Sequence, residues 1–113
     1  NDMLRGTDPK ITYDNLDAMI RKLKARKIAV MLLGMRSWSN AGPVFAERFN
    51  AVFTDLARVH DIPLYPFFLD GVTGVPEMVL PDALHPSAEG VREIVRRTVP
   101  EIEVFLRKVA AQS

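Results

Sequence analysis

The residues of this chain best suited to chemistry stand in the run LPDALHPSAEG, residues 80–90, where a carboxylate, Asp82, precedes an imidazole, His85, by three positions. Pro86 pushes the backbone of His85 toward an extended conformation, so the ring projects from a loop instead of joining the helix behind it. Ser87 suits the cap of that helix. A turn across Asp-Ala-Leu-His can carry the Asp82 carboxylate to Nδ1 of His85 and leave Nε2 basic. The tautomer is then fixed and imidazolium is stabilised as it forms, which is what a general base for a hydroxyl nucleophile needs. Taken alone, such a pair more often merely caps a helix or ties a loop. Two ligands without a third neighbour are too few for zinc, so no metal is expected.

A second polar stretch opens the chain, NDMLRG at residues 1–6. An Asn side chain at the tip of a strand can point its amide NH₂ at developing negative charge, as in an oxyanion hole. The plainer alternative for Asn1 and Asp2 is a turn. The loop MRSWSNAG, residues 35–42, is the third stretch whose polar and aromatic residues could meet a ligand.

The elements that must hold these stretches alternate between two periods. From Asp14 to Lys27, Leu16, Met19, Ile20 and Leu23 recur at helical spacing, with Asp14 and Asp17 in the first turn and Arg26 and Lys27 in the last, matching the helix dipole. The run IAVMLLG, residues 28–34, is apolar on both faces and reads as a strand of a parallel sheet covered by helices. Pro43 suits the first turn of a second helix with a stripe of Phe45, Phe49, Val52, Phe53 and Leu56. His60 is placed on the surface at its end.

IPLYPFF, residues 62–68, is a second strand, which Pro63 and Pro66 shorten or push toward an edge. A long loop from Leu69 to Pro86 follows, with a short turn at Val75–Val79, and loops of such length are often functional. The last helix carries Val91, Ile94 and Val95. Pro100 interrupts it or begins another with Ile102, Phe105, Leu106 and Val109.

This alternation predicts an α/β fold with a parallel sheet and helices on both faces. In such sheets ligands bind beyond the carboxyl ends of the strands, where all three candidate stretches should gather. Two strands alone would leave edges unpaired, so further strands are expected from an upstream segment.

Taken together, NDMLRG and DALHP resemble the third and fourth sequence blocks of the SGNH (GDSL-like) serine hydrolase family. ND-x-LRG, the strand–helix alternation and the PLYPFF run are most similar to its acyl-CoA thioesterase I, lysophospholipase and arylesterase branch, and the likeness runs over nearly all 113 residues. The resemblance implies that residues 1–113 are the C-terminal portion of one flavodoxin-like, three-layer αβα hydrolase domain. It implies Asp82 and His85 as the catalytic acid and base, Asn1 as an oxyanion donor, and an ester or thioester substrate with no cofactor.

The Gly-Asp-Ser block and the glycine block are missing here. Ser37, Ser39, Ser87 and Ser113 lie in other contexts, and Ser37 and Ser39 read as loop residues. The family pattern therefore puts the nucleophile on an N-terminal segment, and the chain alone is expected to be inactive. Members of this branch are often periplasmic, so a periplasmic or secreted location is expected ahead of a cytoplasmic one.

Apolar loop residues at the expected sheet edge, Met3, Leu4, Met35, Trp38, Val75, Met78, Val79 and Leu80, either line a groove for an acyl or aryl group or pack the loops onto the core. Of these, Met3, Leu4, Trp38, Met78 and Leu80 are the substrate-binding candidates. Arg5 either holds its loop or meets a polar leaving group.

Composition narrows the alternatives. A net charge of +1 gives no argument for nucleic acid, and the absence of cysteine excludes disulfides and thiolate chemistry. The longest apolar run is far shorter than the ~20 residues of a membrane span. A chain of this size buries about 65% of its unfolded surface, enough for one core. A non-catalytic flavodoxin-like module that binds a nucleotide, flavin or protein is the main alternative, although no Gly-rich phosphate loop is visible. One half of a split complex is another.

Overall fold

The computed structural model describes the backbone of all 113 residues and every side chain except that of Ser39. The chain divides into two compact units, Asn1–Pro66 and Phe67–Ser113.

The first unit is built on α1 (Pro9–Ala25), β1 (Leu32–Leu33), a 3₁₀ turn (Ser39–Ala41), α2 (Pro43–His60) and β2 (Leu64–Tyr65). The α1 helix starts five residues before the Asp14 boundary expected from apolar periodicity. Asp8 caps it by accepting from Lys10 N, and Pro9 takes the first helical position, where a missing N–H costs nothing. Asp14 and Asp17 therefore lie beyond the first turn, which holds no acidic residue. Ile20 is buried on the inner face, whereas Met19 is 53% exposed.

β1 and β2 pair in parallel, Leu32 opposite Leu64 and Leu33 opposite Tyr65. Both strands are shorter than the apolar runs around them. Pro63 and Pro66 bracket β2 and can donate nothing to a ladder, so pairing contracts to the residues between them. Leu32 N donates to Pro63 O at 2.9 Å and Gly34 N to Tyr65 O at 2.7 Å. Gly34 closes β1 because a Cβ there would stand 2.4 Å from Pro66 O.

The core of this unit gathers Met3, Ile20, Leu32, Phe49, Val52, Phe53 and Leu56. Phe45, Phe49 and Phe53 recur every fourth residue and form a ring series along α2. The first two rings stack at 6.0 Å, and the second pair meets edge-on at 5.5 Å. Such pairs add about 0.5–1.5 kcal/mol beyond burial.

His60 corrects the surface placement read from sequence, for its side chain is only 8% exposed. Its Nε2 meets Asp17 Oδ1 at 2.6 Å and ties the end of α2 to the middle of α1. Asp17 is also bound by Arg21, at 2.8 Å, and its carboxyl is held below the usual range, first by Arg21 and then by His60.

The second unit comprises a turn-rich segment, a 3₁₀ turn (Pro76–Met78) and α3 (Ala88–Ala111). Pro100 lies inside α3, which continues through it as one helix. Proline's fixed φ is helical, and the carbonyl it leaves unbonded belongs to exposed Arg96, where water can satisfy it. Arg97 secures the preceding turns, pairing with Asp70 at 3.2 Å and with Glu93 at 2.7 Å. No described helix is long and apolar enough to cross a membrane.

Candidate active site

The Asp-x-x-His loop is fixed from both ends. On its downstream side Ser87 Oγ accepts from Gly90 N at 3.1 Å and donates to Glu77 O at 2.9 Å, joining the start of α3 to the 3₁₀ turn. Ser87 N donates to Met78 O at 2.9 Å and Leu80 N to His85 O at 2.8 Å, flanking an antiparallel bridge between Val79 and Pro86. Met78 and Leu80 thus contribute backbone struts to the loop's stem, and Leu80 leaves its side chain 45% exposed. Gly90 makes the approach of α3 possible, because a Cβ there would fall 2.0 Å from Met78 O.

Within the loop both oxygens of the Asp82 carboxylate are engaged. Oδ1 accepts from the amides of Leu84, at 2.9 Å, and His85, at 3.1 Å, while Oδ2 lies 2.7 Å from His85 Nδ1. The bond to the His85 ring and the two amides, in that order, lower the Asp82 carboxyl to about 2. An ionised carboxylate can only accept, so Nδ1 carries the proton, and in the neutral imidazole Nε2 then keeps the lone pair. Among the described residues no hydrogen-bond partner meets Nε2. The imidazole is 52% exposed, so a substrate can reach it.

Two Asp–His pairs therefore exist in this chain, with opposite characters. Asp17–His60 lies between two helices, with the imidazole buried and the carboxylate half-buried. Asp82–His85 stands open on a braced loop, with one ring nitrogen held and the other available.

The Asn1–Gly6 stretch forms turns in the first unit. Asn1 O accepts from Arg5 N, and Asp2 accepts from Thr12 Oγ1 at 2.8 Å, pinning the stretch to α1. The Asn1 side chain is exposed. Met3 and Leu4 join Gly6, Trp38, Asn40, Ala41 and Phe45 around a cavity of about 330 Å³. Met3 serves both readings given to the apolar loop residues, since it lines this cavity and is also 7% exposed in the core. Met78 and Leu80 belong to the second unit and are not among the cavity's lining residues.

Sequence reasoning did not single out Asn40, Ala41 or Phe45 as pocket residues. Phe45 belongs to the apolar stripe of α2, and as the first ring of that series it reaches the cavity as well. Among the described residues no group of three or more potential metal ligands occurs.

Three of the four serines, those whose side chains are described, have structural hydrogen bonds. The Ser87 hydroxyl is spent on the helix cap, Ser37 Oγ donates to Trp38 O, and Ser113 Oγ donates to carbonyls at the end of α3.

Residues 1–93 match the GDSL-like lipase/acylhydrolase family, and the chain belongs to it. It is 35% identical to the esterase TesA of Pseudomonas aeruginosa over 106 residues, 94% of this chain and 53% of that protein. To the thioesterase 1/protease 1/lysophospholipase L1 of Escherichia coli K12 it is 34% identical over 89 residues, 79% of this chain and 43% of that one. A crystal structure of TesA superposes with a TM-score of 0.82 at 36% identity, covering 88% of this chain and 56% of the other. The chain thus spans about half the length of these relatives.

Proposed function

We propose that this chain supplies the acid–base half of a serine ester or thioester hydrolase. The observation that carries the reading is the Asp82–His85 pair, with Nδ1 held at 2.7 Å and Nε2 without a described partner on an exposed ring. The nucleophilic serine is assigned to the part of the relatives that this chain does not span. Among the serines here, three have hydroxyls engaged in structural bonds.

In the reaction, Nε2 of His85 removes the proton of that serine as its Oγ attacks the acyl carbon. The carbonyl π pair moves onto oxygen, where the Asn1 side-chain amide donates to the oxyanion. The tetrahedral adduct collapses and expels an alkoxide or thiolate, which takes the proton from His85. Water then repeats the sequence on the acyl-enzyme, releasing a carboxylic acid. Asp82 keeps its charge throughout and orients the imidazole. The pocket lined by Met3, Leu4 and Trp38 receives the apolar acyl or aryl group, with Met78 and Leu80 shaping the loop that carries His85. No cofactor takes part.

The test is to combine the chain with a segment carrying Gly-Asp-Ser and follow p-nitrophenyl ester hydrolysis. Activity is expected from the combination and from neither piece alone, and Asn1→Ala should lower kcat by about 10²–10³-fold. A combination that binds tightly yet remains inert would remove the proposal.

A further inference from the structure

The cavity of the first unit has two kinds of wall. One side comes from the Asn1–Gly6 turns, which Asp2 and Thr12 pin to α1. The other comes from Trp38, Asn40 and Ala41, on the loop between β1 and α2. That loop has short internal bonds, Ala41 N to Trp38 O at 3.2 Å and Ser37 Oγ to Trp38 O at 3.3 Å. These shape the loop without fixing where it sits on the helix.

A side chain on α2 supplies that second constraint. Asn50 Oδ1 accepts from Ser37 N at 2.7 Å in a half-buried setting, across 13 positions of sequence. The partner is a backbone N–H, so the amide oxygen and not the NH₂ of Asn50 must face it. Asn50 lies one residue after Phe49, whose ring stacks on Phe45 of the cavity wall. The residue next to Trp38 is thereby held to the same helix that presents Phe45.

We propose that Asn50, through its bond to the Ser37 amide, positions the Trp38 wall of this cavity and so sets the size of the apolar acyl or aryl group it admits. Asn50 is a positioning residue, since the cavity is lined by others. The assignment rests on the hydrolase reading for its link to substrate, but not for its link to Trp38. Loss of the oxygen leaves a half-buried amide unsatisfied, and the loop relieves this by moving the amide toward water. Trp38 follows it.

The test uses Trp38 as reporter, because it is the only tryptophan in the chain. Asn50→Ala should raise acrylamide quenching of Trp38 about two-fold, while Asn50→Asp, which keeps an acceptor oxygen, should stay near the parent. Asn50→Gln, with its amide displaced by one methylene, carries the same test should the alanine variant fail to fold. Unchanged quenching in a folded Asn50→Ala or Asn50→Gln protein overturns the proposal, as does an aspartate variant that behaves like alanine.

In the active combination, Asn50→Ala should raise KM for p-nitrophenyl decanoate about five-fold, with kcat and the KM for p-nitrophenyl acetate within about two-fold of the parent. Equal changes for both esters would show that the wall does not select by size. If the parent itself hydrolyses neither ester, the function proposed above fails, and the quenching result alone decides the role of Asn50.

Discussion

Ala83 sits between the acid and the base with φ +60°, a left-handed conformation that an L-residue with a Cβ adopts at a cost of about 1–2 kcal/mol. The loop accepts it because the surrounding bonds over-determine the turn. Ala83 N donates to Leu80 O at 2.9 Å, and Asp82 Oδ1 binds the next two amides. Backbone strain held in this way is common where side chains must stay in one geometry. Ala83→Gly should therefore stabilise the chain by up to about 1 kcal/mol after the entropy lost by glycine, seen as a higher denaturant midpoint, and Ala83→Val should lower that midpoint.

The charge state of Asp82 gives a second prediction at this scale. Its carboxyl titrates near 2 in the folded chain against an ordinary value of 3.8. Because the folded value is the lower one, its stabilising contribution is complete above about pH 4 and is lost as pH falls toward 2. Glu93, held near 2 by Arg96 and then Arg97 against an ordinary 4.5, acts in the same direction. Carboxylate-resolved NMR titration should place both midpoints well below those of ordinary side chains, and Asp82→Asn should flatten the acid limb of stability. Ordinary midpoints would mean that the Asp82–His85 bond does not persist in solution.

At the scale of elements, much of the arrangement was legible in the chain, and the exceptions have physical causes. The caps were plain in outline, since Ser87 opens α3 and Pro43 opens α2. The start of α1 is not legible from periodicity, because its first turn buries Thr12 and exposes Ile11, inverting the apolar signal. The Asp8-Pro9 pair carried the better signal.

The strands are shorter than their apolar runs because hydrophobicity marks burial, whereas a ladder also needs donors that Pro63 and Pro66 lack. The role of His60 was not legible, for its partner Asp17 is 43 positions away. The Asp82–His85 pair was legible because three residues of separation and a following proline leave few conformations.

Gly90 is the element-scale test. Its missing side chain lets the first turn of α3 press against the 3₁₀ turn that also anchors the His85 loop. Gly90→Ala should destabilise the chain by about 1–3 kcal/mol despite alanine's better helix propensity, because the obstacle is a backbone carbonyl that cannot rotate away. Urea denaturation would register it, and a neutral or stabilising result would mean that the contact is looser than 2.0 Å implies.

For the whole molecule, family membership and the span of about half of each relative lead to one functional statement. The chain carries the Asp82–His85 pair proposed above as orienting acid and base, the proposed oxyanion donor Asn1, and an apolar cavity in its first unit. The TesA crystal structure covers 88% of this chain at a TM-score of 0.82, so the likeness extends through the elements and not only the motifs. A phosphate- or flavin-binding module would need a Gly-rich loop at a helix start, and the turn before α2, SNAG, offers only Gly42.

The most direct measurement is the hydrolysis rate of a p-nitrophenyl ester by the chain combined with a Gly-Asp-Ser segment, comparing the parent with His85→Ala. If His85 takes and returns the serine proton as proposed, its removal should cut kcat at least about 10³-fold, with Tm little altered because the ring is half exposed. A His85→Ala protein that retains the parental rate would contradict the assignment of His85 as the base.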